Sequence, residues 1–333
     1  MKIQFSGRVI VTGGAGFIGS NFLHYMIEKH QDYKFINIDK LTYSGNQNNI
    51  KHLESQENYS FLQEDICDKE KIAMLIEKGD IIINFAAESH VDNSILDPGI
   101  FIKTNVLGTQ NLLDICREKK AALFVQISTD EVYGSLNFDQ KSSVESDMFN
   151  PSSPYSASKA AAELLCTAAI KTFNQPIIIT RSSNNFGPYQ FPEKVIPLFI
   201  TNLLEERKVP LYGAGENVRD WIYVIDNCEA IDFVIHNGKV GEVYNIGGGN
   251  ELKNIDLTNL IIGAVGKDNS FIEHVKDRLG HDLRYSLNCS KIHKLGWKPR
   301  FEFEQALKET IKWYINNKDW WAQLKTISGK RVR

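Results

Sequence analysis

The chain has 333 residues, 42% of them hydrophobic and 24% charged, with a net charge of −3 at neutral pH. This is ordinary globular composition, with core enough for one large domain or two smaller ones, and its slight acidity excludes the basic field needed to grip nucleic acid. No apolar run approaches the thickness of a bilayer, the first residues lack a signal-peptide pattern, and five scattered cysteines (Cys67, Cys116, Cys166, Cys228 and Cys289) without C-x-x-C spacing speak against a disulfide framework or a cysteine zinc site, so a reducing, cytoplasmic setting is expected.

The first element is the strand Val9–Val11, apolar and β-branched as a strand buried on both faces requires. It runs into Gly13, Gly16 and Gly19, a G-x-x-G-x-x-G spacing. Gly13 allows a sharp turn out of the strand, Gly16 a close approach of backbone N–H groups to a pyrophosphate, and Gly19 close packing of the next helix. That helix, Phe17 to about Lys29, points its positive end at the phosphates. A second strand, Phe35–Ile38, ends at Asp39, twenty residues after Gly19, where a carboxylate can accept both ribose hydroxyls of an adenosine. A 2′-phosphate would be repelled there, so the pattern reads as NAD and not NADP.

Further strands are expected near Tyr59–Gln63, Ile81–Ala86, Leu123–Ile127 and Ile177–Thr180, and helices at Lys69–Glu77, Pro98–Lys119 and Tyr155–Phe173. This alternation is that of an α/β fold, a doubly wound parallel sheet of Rossmann type. Asp65, after the third strand, either meets the adenine amino group or caps the helix near Lys69. Ala86 and Ala87 end the fourth strand and leave room for a cofactor at the carboxyl edge of the sheet. After about residue 180 the rhythm breaks down, with helices near Val195–Glu206, Asp226–His236, Asn254–Val265 and Glu304–Asn316. Residues 1–180 therefore read as a dinucleotide-binding domain and 181–330 as a smaller, mixed α/β substrate domain, with the chain free to cross between them.

The fifth strand runs into Ser128-Thr129-Asp130-Glu131-Val132-Tyr133-Gly134, which puts hydroxyls and two acids at its carboxyl end. Tyr155 and Lys159 follow at i and i+4 on one helix face, so phenol and ammonium can share a cleft. The ammonium, and a positive nicotinamide, would lower the phenol's pKa, and the phenol could take a proton from a sugar hydroxyl while hydride leaves the same carbon. Y-x-x-x-K occurs three times, at Tyr25/Lys29, Tyr155/Lys159 and Tyr314/Lys318. Only the second follows a strand ending in hydroxyls, with Pro151 and Pro154 punctuating the approach to its helix. Asp130 and Glu131, on local grounds, are either working acids or a solvated turn.

These motifs resemble the extended short-chain dehydrogenase/reductase family, and more narrowly its dTDP-glucose 4,6-dehydratases. The resemblance covers nearly the whole chain. It runs through Thr12–Ser20, Asp39–Asn46, Ala86–Asp92, Ile127–Gly134, Pro151–Lys159, Ser183–Lys194, Arg219–Val224 and Tyr244–Gly248. The Thr129-Asp130-Glu131 triplet is the discriminating part, since the related 4-epimerases lack the Asp-Glu pair. The resemblance implies NAD lined by Gly13, Gly16, Phe17, Ile18, Gly19, Asp39, Lys40, Leu41, Thr42, Asp65, Ile66, Ala86, Ala87, Thr104, Tyr155, Lys159 and Asn185. It implies a sugar nucleotide lined by Ser89, Thr129, Asn184, Lys194, Val195, Pro210, Tyr212, Arg219, Asn254, Asp277, Arg278 and His281, with Arg219 as a fork onto the diphosphate.

By the same resemblance Tyr155 takes the C4 hydroxyl proton, Thr129 bonds near C4, Glu131 takes the C5 proton and Asp130 protonates the departing C6 hydroxyl. The two acids must then hold different protonation states. No metal is needed, and a homodimer through the helices 98–119 and 155–173 is implied. Asn93, Leu279, Phe186 and Arg181 depart from the usual pattern. They bear on which nucleotide sugar is taken, so a UDP-sugar dehydratase is the alternative substrate reading and a UDP-sugar 4-epimerase the alternative reaction.

Overall fold

The computed structural model describes residues 5–277 and 280–329. Its strands are β1 (Arg8–Thr12), β2 (Lys34–Ile38), β3 (Tyr59–Leu62), β4 (Ile81–Asn84), β5 (Leu123–Thr129), β6 (Ile177–Ser182), β7 (Asn184–Phe186), β8 (Val209–Tyr212), β9 (Val218–Tyr223), β10 (Val243–Ile246), β11 (Glu251–Lys253) and β12 (Ile272–Val275). The helices are α1 (Phe17–Lys29), α2 (Lys69–Leu75), α3 (Val91–Leu96), α4 (Pro98–Phe101), α5 (Thr109–Lys119), α6 (Pro154–Phe173), α7 (Val195–Leu204), α8 (Val224–Asn237), α9 (Asn254–Val265), α10 (Ser290–Leu295), α11 (Phe303–Asn316) and α12 (Lys318–Gly329).

Seven strands form one parallel sheet in the order β10-β6-β5-β4-β1-β2-β3. This is the doubly wound Rossmann arrangement, with the order reversing between β1 and β4. β10, from the second half of the chain, returns to this sheet beside β6. Two smaller sheets, β11-β9-β7 and β12-β8, lie beyond it. The apolar runs seen in the sequence are the buried strands: Val9, Ile10, Val11, Ile82, Ile83 and Val125 are at most 1% exposed. Among the described residues, no helix is long and apolar enough to cross a membrane.

Polar groups inside the sheet hold its carboxyl ends in register. Thr12 Oγ1 donates to Asn84 Oδ1 at 2.7 Å, and Asn84 Nδ2 donates to Gln126 Oε1 at 3.0 Å, so the last residues of β1 and β4 are tied to each other and to the middle of β5. A buried polar group costs stability unless it is bonded, and this ladder satisfies each member.

The helix expected to run unbroken over 98–119 is interrupted. Residues Ile102–Gly108 take π-helical bonding between α4 and α5. The bulge turns Asn105 inward, where its Nδ2 donates to the Glu88 carbonyl at 3.0 Å and to Ser158 Oγ at 2.8 Å, and its Oδ1 accepts the Glu88 N–H. One side chain thus joins the end of β4 to α6. Sequence periodicity does not register a one-residue insertion of this kind. The helix expected at Lys69 starts there, but its cap is Asp68, whose side chain accepts the Lys71 N–H, and not Asp65.

Gly13 is at φ +73°, and a Cβ on it would lie 2.5 Å from the Ala86 backbone nitrogen. A Cβ on Gly19 would meet the Gly13 carbonyl oxygen at 2.4 Å. Both glycines are therefore demanded by backbone-to-backbone contact. Gly13→Ala is expected to cost at least about 1–3 kcal/mol from the backbone conformation alone, read as a lowered melting temperature together with loss of dinucleotide binding.

Candidate active site

A cavity runs along the carboxyl edge of the seven-stranded sheet. Its wall is built by the residues that leave β1 (Gly13), β2 (Asp39), β3 (Asp65), β4 (Phe85, Ala86, Ala87) and β5 (Ser128), closed by Gln190, Phe191, Glu193 and Lys194 from the loop before α7. This is the edge at which open α/β sheets bind ligands. The α1 N-terminus opens into it through Gly16, Phe17, Ile18 and Gly19. Gly16 is the helix N-cap and offers no side-chain bond, and the first turn holds no acid. The free N–H groups of that turn therefore suit an anion such as a pyrophosphate.

Asp39 is buried, and both carboxylate oxygens are positioned by the backbone: Oδ2 accepts the Ala15 N–H at 2.9 Å and Oδ1 the Leu41 N–H at 2.8 Å. Leu41 takes a left-handed conformation, φ +56°, to make that bond. Asp65 pairs with Lys40 at 2.7 Å and accepts the Cys67 N–H at 2.9 Å. Of the seventeen dinucleotide residues expected from sequence, fifteen line the cavity; Leu41 and Asn185 do not. Leu41 acts through Asp39, and Asn185 bonds the Ser183 carbonyl from β7.

Past Ser128 the strand ends at Thr129, which caps a short 3-10 turn that begins with Asp130 and Glu131. Thr129 is the hub of the triplet. Its hydroxyl donates to Asp130 Oδ1 at 3.1 Å and accepts the Glu131 N–H at 3.2 Å. Asp130 is 3% exposed and its Oδ2 has no partner. Burial, and then the adjacent Glu131 carboxylate, push Asp130 well above the usual carboxylate range, against the pull of the Thr129 hydroxyl. The solvated-turn reading of Asp130 is thereby excluded. Of the pair, Asp130 is the acid whose surroundings favour the neutral form.

α6 begins with Ser153 and Ser156 in a reciprocal capping box and Pro154 in the first turn, a rigid entry that points Tyr155 and Lys159 into the cavity. Lys159 is buried, and its Nζ donates to the Ile127 carbonyl at 2.6 Å. Burial lowers its pKa to about 8, with Glu163 one turn further along acting against that shift. The expected lowering of the Tyr155 phenol by Lys159 is corrected here. Burial, then Glu131, push Tyr155 far above its ordinary value, a smaller push comes from Asp130, and the hydrogen bond with Thr129 opposes them. Burial is the largest of these effects, and Lys159 is not among the groups that act on the phenol.

The residues expected at the sugar nucleotide fall into groups. Ser89 and Lys194 line the cavity, with Lys194 Nζ donating to the Ser89 carbonyl at 3.1 Å. Val195 opens α7 beside Lys194. Pro210 and Tyr212 lie on β8, which pairs with β12, and the Tyr212 ring meets His281 edge-on at 5.9 Å, with His281 bonded to Asp277 at 2.6 Å. Asn184 lies on β7, and Asn254 opens α9 with its N–H on the Asn217 carbonyl. Arg219 on β9 is buried, stacks on Tyr285 at 4.3 Å, and donates to the carbonyls of Val218 and Asp282. Arg278 lies outside the described residues.

Sequence reasoning missed part of the cavity wall. Glu88 follows the two alanines after β4 directly, and Gln190, Phe191 and Glu193 come from the same motif as Lys194, of which Asn184, Asn185 and Lys194 were singled out. Glu193 Oε1 accepts from the Tyr43 hydroxyl at 3.0 Å, which draws the Asp39–Asn46 segment over the cavity. Adjacency to a recognised motif was the available signal.

The geometry agrees with what this chain is similar to. The sequence pattern of the GDP-mannose 4,6 dehydratase family matches residues 10–310. The dTDP-glucose 4,6-dehydratase of Streptomyces niveus is 45% identical over 327 residues, 96% of each chain. The low-salt glycan biosynthesis protein Agl12 of Haloferax volcanii is 47% identical over 93% of this chain and 99% of that one. The crystal structure of DesIV, the dTDP-glucose 4,6-dehydratase of Streptomyces venezuelae with NAD and TYD bound, superposes with a TM-score of 0.93 at 45% identity, covering 95% of this chain and 99% of that one. The likeness runs over nearly the full length of these relatives, and the chain belongs to the nucleotide-sugar 4,6-dehydratase family.

Proposed function

We propose that this protein is a hydro-lyase that converts dTDP-glucose to dTDP-4-keto-6-deoxyglucose, holding NAD through turnover. The observation that carries the reading is the Asp130–Glu131 pair beside Tyr155, with Asp130 buried and kept neutral. Net water loss needs an acid and a base at neighbouring carbons, and two carboxyl groups in unlike surroundings supply both.

The dinucleotide fits the cavity: the uncapped α1 terminus takes its phosphates, Asp39 a ribose, and the close Gly13–Ala86 contact leaves no side chain in its path. NAD, when bound, would supply the acceptor for the C4 hydride and the hydride that reaches C6. Tyr155 takes the proton of the C4 hydroxyl, and Thr129 bonds that phenol and orients it. The ketone formed at C4 acidifies the C5–H. Glu131 removes that proton, Asp130 gives its own to the C6 hydroxyl, and the C6–O bond breaks with loss of water; Glu131 then returns its proton to C5 as hydride arrives at C6. Lys159, fixed on the Ile127 carbonyl, brings a cation to the wall of the cavity beside Tyr155. Residues of the second half of the chain, Lys194 and Arg219 among them, hold the nucleotide diphosphate.

The test is mass spectrometry of dTDP-glucose, UDP-glucose and UDP-N-acetylglucosamine, each incubated with the protein and no added reductant. Loss of one water from dTDP-glucose is expected. Water loss from a UDP sugar alone would change the substrate, and inversion at C4 without mass change would overturn the assignment of the two acids.

The assembly proposed is a homodimer. Ile102 and Leu107 in the 98–119 stretch and Leu164 on α6 are exposed apolar side chains on the helices expected to pair, and Ile95 and Leu96 are exposed on α3, which packs against α4 and α6. Leu96, 83% exposed, is the most open of them. Leu96→Glu combined with Leu107→Glu is expected to give a monomer by light scattering, while a wild-type monomer at working concentration would overturn the dimer.

A further inference from the structure

Two histidines distant in sequence meet over one carboxylate at the far end of α1. His30 follows the last turn of that helix, and Asp232 and His236 stand one turn apart on α8. Asp232 is 2% exposed. Its Oδ1 lies 2.9 Å from His30 Nε2 and 3.0 Å from His236 Nδ1. One ligand atom from each of the three residues falls within 4.8 Å of the others. The cavity opens at the other end of α1, about 20 Å away along thirteen residues of helix.

We propose that His30, Asp232 and His236 form a binding site for a first-row divalent transition metal, zinc in the first instance, with water completing the coordination. Bonds of about 2.0–2.2 Å to nitrogen and carboxylate oxygen place the ligand atoms about 3–3.5 Å apart. Two of the three separations already stand near that value. Two imidazoles and one carboxylate select zinc, cobalt or nickel over magnesium or calcium.

The surroundings hold the ligands as such sites require. Asp232 Oδ2 accepts from Lys29 Nζ at 2.8 Å and from the Tyr25 hydroxyl at 3.3 Å, which leaves Oδ1 aimed at the histidines. The Tyr33 hydroxyl lies 3.0 Å from His236 Nε2 and fixes that ring through its other nitrogen. The Tyr33 ring stacks on His30 at 4.7 Å, and His30 stacks on His236 at 5.1 Å. His236 is partly exposed, which gives an ion its entry. The Lys29 ammonium on the opposite carboxylate oxygen repels the ion and weakens its binding. A bound ion would tie the end of α1 to α8 and so brace the helix whose other end faces the cofactor cavity.

The site stands apart from the catalytic reading, and its test reads metal, not turnover. The full-length protein with its dinucleotide is dialysed against zinc chloride and analysed for metal, and cobalt is substituted to read coordination from its visible absorption. One equivalent is expected. Asp232→Asn, His30→Gln and His236→Gln should each weaken binding by more than about tenfold while turnover stays within about twofold. His236→Gln leaves the Asp232–Lys29 pair in place, so a folded variant is available. Absence of stoichiometric uptake by the wild type, or uptake that His30→Gln and His236→Gln retain, would overturn the site.

Discussion

Tyr155→Phe is expected to lower turnover by about 10³-fold with little change in KM. The phenol is the group placed to take the C4 proton, and without it the oxidation that makes every later step possible does not begin. The substitution removes one oxygen and keeps the ring, which packs edge-on against Phe101 at 6.4 Å, so the fold should be retained. Single-turnover mass spectrometry, with circular dichroism as the control for folding, separates chemistry from stability. A variant that still loses water at more than a tenth of the wild-type rate would remove Tyr155 from the assignment. The same site carries a pH dependence. Lys159 is charged below its pKa of about 8 and neutral above it. Its ammonium is what donates to the Ile127 carbonyl and holds this edge of the cavity, so turnover at saturating substrate should fall as pH rises past that point. Lys159→Met should remove this alkaline limb along with most of the activity.

The second large effect belongs to Asp130. Asp130→Asn keeps size and shape but cannot deliver a proton to the C6 oxygen, and turnover should drop by about 10²–10⁴-fold. Oxidation at C4 does not use this residue. The variant should therefore convert its bound dinucleotide to the reduced form on mixing with substrate, visible in the near-ultraviolet, and stall there. Glu131→Gln should stall at the same stage, because the C5 proton stays in place.

The two variants differ in stability. The Asp130 pKa is raised in the folded chain, above an unfolded value of about 3.9. Its contribution to stability is complete below the unfolded value and is lost as pH rises through the folded one. At neutral pH folding must take up a proton, a cost that the neutral amide does not carry. Asp130→Asn is therefore expected to melt at a higher temperature than the wild type at neutral pH, with the gap closing as pH falls towards 4. A variant less stable than the wild type at every pH would show that Asp130 is not the neutral acid. Higher stability with lower activity is the usual mark of a residue kept for chemistry.

Much of this site was legible before any coordinates. The glycine spacing, the acid after β2, the alanines after β4 and the Tyr155–Lys159 pair are local patterns, and local patterns survive in one dimension. Strand ends were legible for the same reason: an apolar run that stops at small or polar residues marks the edge where ligands bind. Thr129 was read as a group near C4, while its part as the hub for Asp130, the Glu131 N–H and the phenol emerged only in the fold. The 98–119 segment was legible as helix but not as a broken one, since the π turn that aims Asn105 at Glu88 and Ser158 leaves the apolar pattern intact. Gln190, Phe191 and Glu193 were missed because a loop has no period to read.

The sequence by itself determined the fold class, the family and the chemical groups available, because these follow from spacing along the chain and from residue type. Only the tertiary structure decided which of those groups carry protons and which meet. Burial raised Asp130 and Tyr155 and lowered Lys159 by removing water that neighbours in sequence could not have removed. It also brought His30 to Asp232, 202 residues away, through the packing of α1 on α8. Solvent exclusion and long-range contact are properties of the packed chain, and no local pattern encodes them.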